Sequence, residues 1–322
     1  MNPKTCSPNF SNFVATSLQM MQKHRDLLPI GAALLAMIFW SFSFVWVKVA
    51  YQAYGPLTVV LLRLVISVVL LFSFMFIIRR LQFIAKKDIG IFVLLAFFEP
   101  FLYFMGESYG LLYVSSTVAA VIVATIPLLA PISAYYFFKE RLSLMNVIGL
   151  AISFLGVCLV ILNDDLSFSA SPLGVMLEVL AVIAAIAYST VLRKLAFRYN
   201  TFTIISYQNL FGIIMFLPFW LVFESRDFIA TPFHREAFTS IILLSVFASS
   251  LAFIFFTYSV RNIGINRSNT FINLIPVFVA IFAWFVLGDK LSGQAATGIA
   301  IVIAGLFLAQ VRWRRKKIIS AS

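Results

Sequence analysis

Four ionisable residues stand inside stretches that are otherwise apolar: Arg63, Glu99, Glu107 and Glu178. In hydrocarbon each costs at least about 2.5 to 3.5 kcal/mol on insertion scales, so each is a candidate functional residue. Glu99 is followed by Pro100, which lacks a backbone donor and predicts a kink that frees a carbonyl for substrate or water. Counted along a helix, Glu99 falls near the membrane midplane, and Arg63 about 10 Å below one surface. Two roles suit Glu99. It can exchange a proton and couple a transport cycle to a proton gradient, or it can form a fixed ion pair with Arg63 that ties two helices, as buried charges usually pair. Arg63 also has two readings: its forked donors fit a substrate carboxylate, or they bind backbone carbonyls of a neighbouring helix.

Neutral polar and aromatic residues extend the candidate set. When Thr58 is set on Thr203, Arg63 falls opposite Gln208 at equivalent depth. Asn269 and Asn273 are four apart and share one helical face, with Ser268 and Thr270 beside them. Such a face binds a polar substrate or pairs with another helix, the second at about 0.6 kcal/mol per pair. Trp40, Tyr188 and Tyr207 suit cavity walls that stack on a substrate, or plain packing in a chain with 36 Phe. Lys48 either snorkels to the outer interface or guards a cavity mouth. Pro100, Pro127 and Pro276 are candidate hinges, and Glu140 and Asp289 open loops where capping and tethering are expected.

The elements that must position these residues follow from composition. A chain of 322 residues that is 62% hydrophobic and 11% charged, with mean hydropathy +1.02, cannot bury its apolar surface in one soluble core. Its solvent is lipid, and a bilayer core requires about 20 apolar residues per helix. Charges and Gly, Pro or Asn clusters divide the chain into ten spans near 28–51, 56–78, 88–109, 115–138, 144–162, 173–192, 202–223, 237–260, 266–287 and 293–311. The expected fold is all-α and integral to the membrane. Its parts are a tail at 1–27, five spans at 28–162, a linker at 163–172 containing Asn163, Asp164 and Asp165, five spans at 173–311 and a basic tail at 312–322.

The net charge of +12 gathers at one set of span ends, in pairs such as Arg79-Arg80, Lys86-Lys87 and Arg193-Lys194 and in the tail from Arg312 to Lys317. That asymmetry predicts an inner-membrane protein with both termini cytoplasmic, and it removes nucleic acid as a partner. Only Cys6 and Cys158 are present, and His24 and His234 lie outside the spans, so no disulfide framework, metal site, cofactor or intramembrane catalytic set is expected. No G-x-x-x-x-G-K-[ST] loop occurs, which disfavours direct ATP drive.

An internal duplication is the strongest pattern. The segment Leu94 to Leu159 aligns without a gap on Leu243 to Leu308, matching Phe98 with Phe247, Tyr109 with Tyr258, Pro127 with Pro276, Gly149 with Gly298 and Gly156 with Gly305. The loop Glu140-Arg141-Leu142-Ser143 meets Asp289-Lys290-Leu291-Ser292. Five spans per copy is odd, so the copies are expected to be inverted around one midplane site, the arrangement of many carriers.

These residues resemble the drug/metabolite transporter superfamily, in its EamA-type ten-helix branch, from about Leu28 to Arg312. The likeness rests on Trp40-Ser41-Phe42-Ser43-Phe44 with Lys48, Pro56-Leu57-Thr58 with Arg63, the block from Pro127 to Ser143, Thr203 through Tyr207-Gln208-Asn209, and Pro276 to Ser292. Asp289 stands where Glu is usual, and Tyr188 near a usual Trp. The resemblance implies a cavity lined by spans one to four and six to nine. It also implies secondary transport of a small polar metabolite, an amino acid or nucleotide-related compound, commonly with proton coupling. The rival functions are a lipid or lipid-carrier flippase of the same fold and, less supported, an intramembrane enzyme.

Overall fold

Long apolar runs broken by Gly, Pro and short polar turns leave helix as the structure that satisfies every backbone group in lipid. The computed structural model describes residues 8–79, 82–129, 144–161, 170–288 and 292–310. All regular structure among them is helical: α1 Pro8–Ala50, α2 Pro56–Ile77, α3 Lys86–Tyr113, α4 Ser116–Leu129, α5 Leu144–Ile161, α6 Pro172–Ala196, α7 Thr201–Phe223, α8 Arg235–Ile263, α9 Arg267–Leu287 and α10 Gly293–Gln310, with a short connecting helix Ser225–Ala230 after α7. Seven of these are long and apolar enough to cross a membrane; α4, α5 and α10 are shorter apolar helices. α1 starts at Pro8, well inside the segment read as a polar tail. The blocks Glu140 to Ser143 and Asp289 to Leu291, the linker residues Asn163 to Asp165, and the tail 312–322 lie outside the described residues.

The outer surface explains the hydropathy. Phe76, Val222 and Phe285 are 75%, 75% and 71% exposed, and similar side chains cover α5 and α6. A water-soluble surface does not carry apolar area on that scale. Inside, small residues set the closest approach. A Cβ on Gly156 would stand 2.7 Å from the Val302 amide, and one on Gly298 would stand 2.9 Å from the Gly156 carbonyl, so α5 and α10 touch backbone to backbone.

The two halves repeat each other in their packing. α2 packs on α7, α4 on α9 and α5 on α10, while α3 packs on α6 and α7 as α8 packs on α1 and α2. The helix breaks repeat as well. α3 opens into wide π turns at Phe97–Leu102, where Glu99 leaves helical geometry (φ −149°, ψ 117°), and α8 does so at Leu244–Ala252, the aligned position. α4 turns at Ala124 and Thr125 before Pro127, and α9 tightens at Phe271–Leu274 before Pro276. Each proline begins a new helical segment, where its missing donor costs nothing.

Polar contacts tie α2 to α7 at both ends. At the end bearing the α1–α2 turn, the Glu224 carboxylate accepts from the amides of Leu57 and Thr58 at 3.0 and 2.8 Å and from the Thr58 hydroxyl at 2.8 Å. At the opposite end the Asn200 side chain donates to Gln82 Oε1 at 3.0 Å and caps α7 by accepting from the Thr203 amide at 2.7 Å. There too the Tyr199 hydroxyl donates to Asp88 at 2.6 Å and Arg198 pairs with Asp88 at 2.9 Å. Desolvation first, and then that bond to Asp88, hold the Tyr199 phenol above its ordinary range.

Candidate functional site

The break in α3 faces a cavity in the middle of the bundle, with about 600 Å³ of empty space counting its open mouth, lined from α1, α2, α3, α4, α6, α9 and, just past its own break, α8. Its charged residues are Arg63, Glu99 and Glu107, at 2%, 7% and 5% exposure. Its aromatic wall is Trp40 packed on Phe253 and Phe256, with ring centroids 5.1 Å apart in both pairs, and Tyr188 edge-on to Phe253 at 6.3 Å.

Arg63 is held by groups the sequence did not single out. Its Nε donates to Ser249 Oγ at 2.8 Å, and its guanidinium carbon lies 4.2 Å from the centre of the Phe104 ring. Among the described residues no ion pair joins Arg63 to Glu99, so the expected fixed pair is replaced by a hydrogen bond and a ring face. The reason lies in α8. Its π turns release the Ser249 carbonyl, which accepts from Ser67 at 3.3 Å and Asn209 at 3.0 Å, while Ser67 and Ser250 hydroxyls meet at 2.6 Å. This knot of α2, α7 and α8 fixes the serine that orients Arg63. One terminal nitrogen of Arg63, Nη1, is buried and has no partner among the described residues. A buried donor without a partner is costly, and Arg63 is also one of the residues lining the cavity. Glu107 accepts from the Tyr103 hydroxyl at 3.0 Å, and both carboxylates act electrostatically on Arg63.

The sequence-selected residues divide into two sets. Trp40, Arg63, Glu99 and Tyr188 line the cavity. Gln208 sits behind it, accepting from the Tyr188 hydroxyl at 3.2 Å, and Tyr207 packs edge-on to Phe72 and Phe92 away from it. Asn269 and Asn273 are buried in α9 outside the lining, each with side-chain atoms lacking a partner. Lys48 does not snorkel outward: its ammonium donates to the carbonyls of Leu111 and Val114, where α3 ends and helix carbonyls lack partners. Glu107, one of the four ionisable residues, also lines the cavity, and Tyr103 and Phe104 line it unselected. A helical count back from Glu107 would have found Tyr103, four residues before it on the same face.

A helical membrane bundle whose centre is a cavity with buried charges is built as a carrier of solutes. The EamA-like transporter family model matches residues 27–162 and again 172–310, and the chain belongs to that family. An uncharacterized transporter from Archaeoglobus fulgidus is 25% identical over 85% of this chain and 95% of its own length. The uncharacterized transporter YetK of Bacillus subtilis is 26% identical over 77% of this chain and 76% of its own. A protein of Streptantibioticus cattleyicolor named "Probable terminal-alkyne amino-acid exporter" is 22% identical over 87% of this chain and 92% of its own. One solved structure shares the fold with a TM-score of 0.68 at 16% identity, covering 88% of this chain and 98% of that one.

Proposed function

We propose that the chain is a secondary transporter of small zwitterionic metabolites of the amino-acid kind, working by alternating access around the central cavity. The observation that carries this reading is the buried Arg63 guanidinium lining one space together with Glu99 and Glu107. One guanidinium beside two carboxylates complements a carboxylate and an ammonium on one molecule. The same set repels the multiple negative charges of a nucleotide, which disfavours the nucleotide-related alternative. The wall of Trp40, Phe253 and Phe256 suits an apolar side chain on the substrate.

In this reading all ten helices cross the inner membrane, 28–162 and 173–311 are inverted repeats, and both termini are cytoplasmic. The paired breaks near Pro100, Pro127 and Pro276 are the hinges by which one repeat exchanges its packing with the other. Glu99 carries the coupling proton. It stands where α3 leaves helical geometry, so rearrangement of that turn moves the carboxylate relative to the cavity. Counterflow in proteoliposomes, screened over the standard amino acids and then nucleosides, tests the proposal. Saturable exchange of a subset of amino acids is expected, with its proton dependence lost in Glu99→Gln. Exchange of nucleosides alone, or of nothing water-soluble, overturns it.

A further inference from the structure

One buried carboxylate takes no part in the cavity. Glu178 lies on α6 near the end bearing the α1–α2 turn, is 0% exposed, and among the described residues has no hydrogen-bond partner on either oxygen. Its place is made by a glycine: a Cβ on Gly110 of α3 would stand 2.7 Å from Glu178 Oε1 and 3.0 Å from the carboxyl carbon. The groups that act on it through charge are Lys48 of α1 and Glu107 of α3, with Tyr103 of α3 also within its field. From α4, α7 and α8, which pack on α6 as well, no charged group acts on it among the described residues.

A carboxyl group with two open oxygens is too costly to bury for packing alone, and Gly110 gives the room it occupies. We propose that Glu178 is a proton-binding site outside the substrate cavity, linked to the cavity through Glu107. The ligand is a proton because the niche at Gly110 is taken up by the carboxyl itself. The linkage is between like charges: Glu178 lies against Gly110, one helical turn from Glu107 on α3, so a proton on one carboxylate relieves repulsion on the other and the pair titrates jointly. Glu107 lines the cavity and is bonded to Tyr103, so loading Glu178 changes the charge that a substrate meets. The use of this link in transport rests on the carrier reading; proton binding at Glu178 does not.

Infrared difference spectra after a pH jump, on the full chain reconstituted in lipid, test it without any substrate. The wild type is expected to show a carboxylic-acid carbonyl band that is absent in Glu178→Gln. In Glu107→Gln that band persists with its titration midpoint displaced by about one pH unit. An unchanged spectrum in Glu178→Gln overturns the site, and an unmoved midpoint in Glu107→Gln overturns the link. If Glu178→Gln does not fold, Glu178→Asp serves: a shifted band assigns it and an unshifted band refutes the assignment. A flat counterflow screen would sink the carrier reading and leave these spectra untouched.

Discussion

Replacing Glu224 by Ala removes an acceptor that serves three donors at once, the amides of Leu57 and Thr58 and the Thr58 hydroxyl. α2 has no cap of its own, since Gly55 offers no side chain, so these first-turn amides lose their only side-chain acceptor. A lost N-cap costs about 1 kcal/mol. The charge on Glu224 and the third bond raise the loss to about 2.5 kcal/mol, which lowers the melting temperature by about 5 °C. Glu224→Gln keeps one acceptor oxygen and should lose roughly half as much. Trp220 donates to Thr58 at 2.9 Å in the same cluster, so Trp220→Phe combined with Glu224→Ala should cost less than the sum of the two. Thermal unfolding in detergent, followed by intrinsic fluorescence, reads all of these. A Glu224→Ala protein that melts with the wild type, or strict additivity with Trp220→Phe, refutes the reasoning.

Three further outcomes follow from single contacts. Gly298→Val places branched carbons against the Gly156 carbonyl and the Val160 side chain, and should lower the melting temperature more than Gly293→Val, where nothing lies within 4 Å of a Cβ. Arg198→Ala removes an ion pair whose arginine is 48% exposed and should change stability by less than about 1 kcal/mol; Asp88→Asn also weakens the Tyr199 bond and should cost more in the same melt. Arg63→Lys keeps the charge but loses the Nε bond to Ser249 and the stacking on Phe104, and should raise the half-saturation concentration in counterflow by about tenfold or more.

Much of the bundle could be read from the sequence because lipid leaves few alternatives: apolar runs mark the helix positions, and the glycines matched by the duplication stand where α5 and α10 touch. Pro100 marked the break in α3, yet the matching break in α8 contains no proline. It is stabilised by Ser67, Ser250 and Asn209, side chains from three helices whose meeting no local pattern encodes. The same limit hid Glu224, a loop residue whose role depends on α2 and α7 ending side by side. Arg63 was recognisable as a candidate from its burial cost, but its partner was not, because Ser249 lies in the other half of the chain. Lys48 reads from sequence as snorkelling or as guarding a cavity mouth, and the open carbonyls of Leu111 and Val114 appear only when α3 is placed beside α1.

Access to the cavity from both faces is the central claim. Ser189 lines the cavity from α6, so Ser189→Cys in a chain whose Cys6 and Cys158 are replaced reports that access through a membrane-impermeant maleimide, applied to right-side-out and inside-out vesicles in turn. Labelling from both sides, slowed by the amino acid that exchanges in counterflow, is the predicted result. Labelling from one side only, or solely by a lipid-soluble maleimide, would contradict a cavity that opens alternately to the two faces.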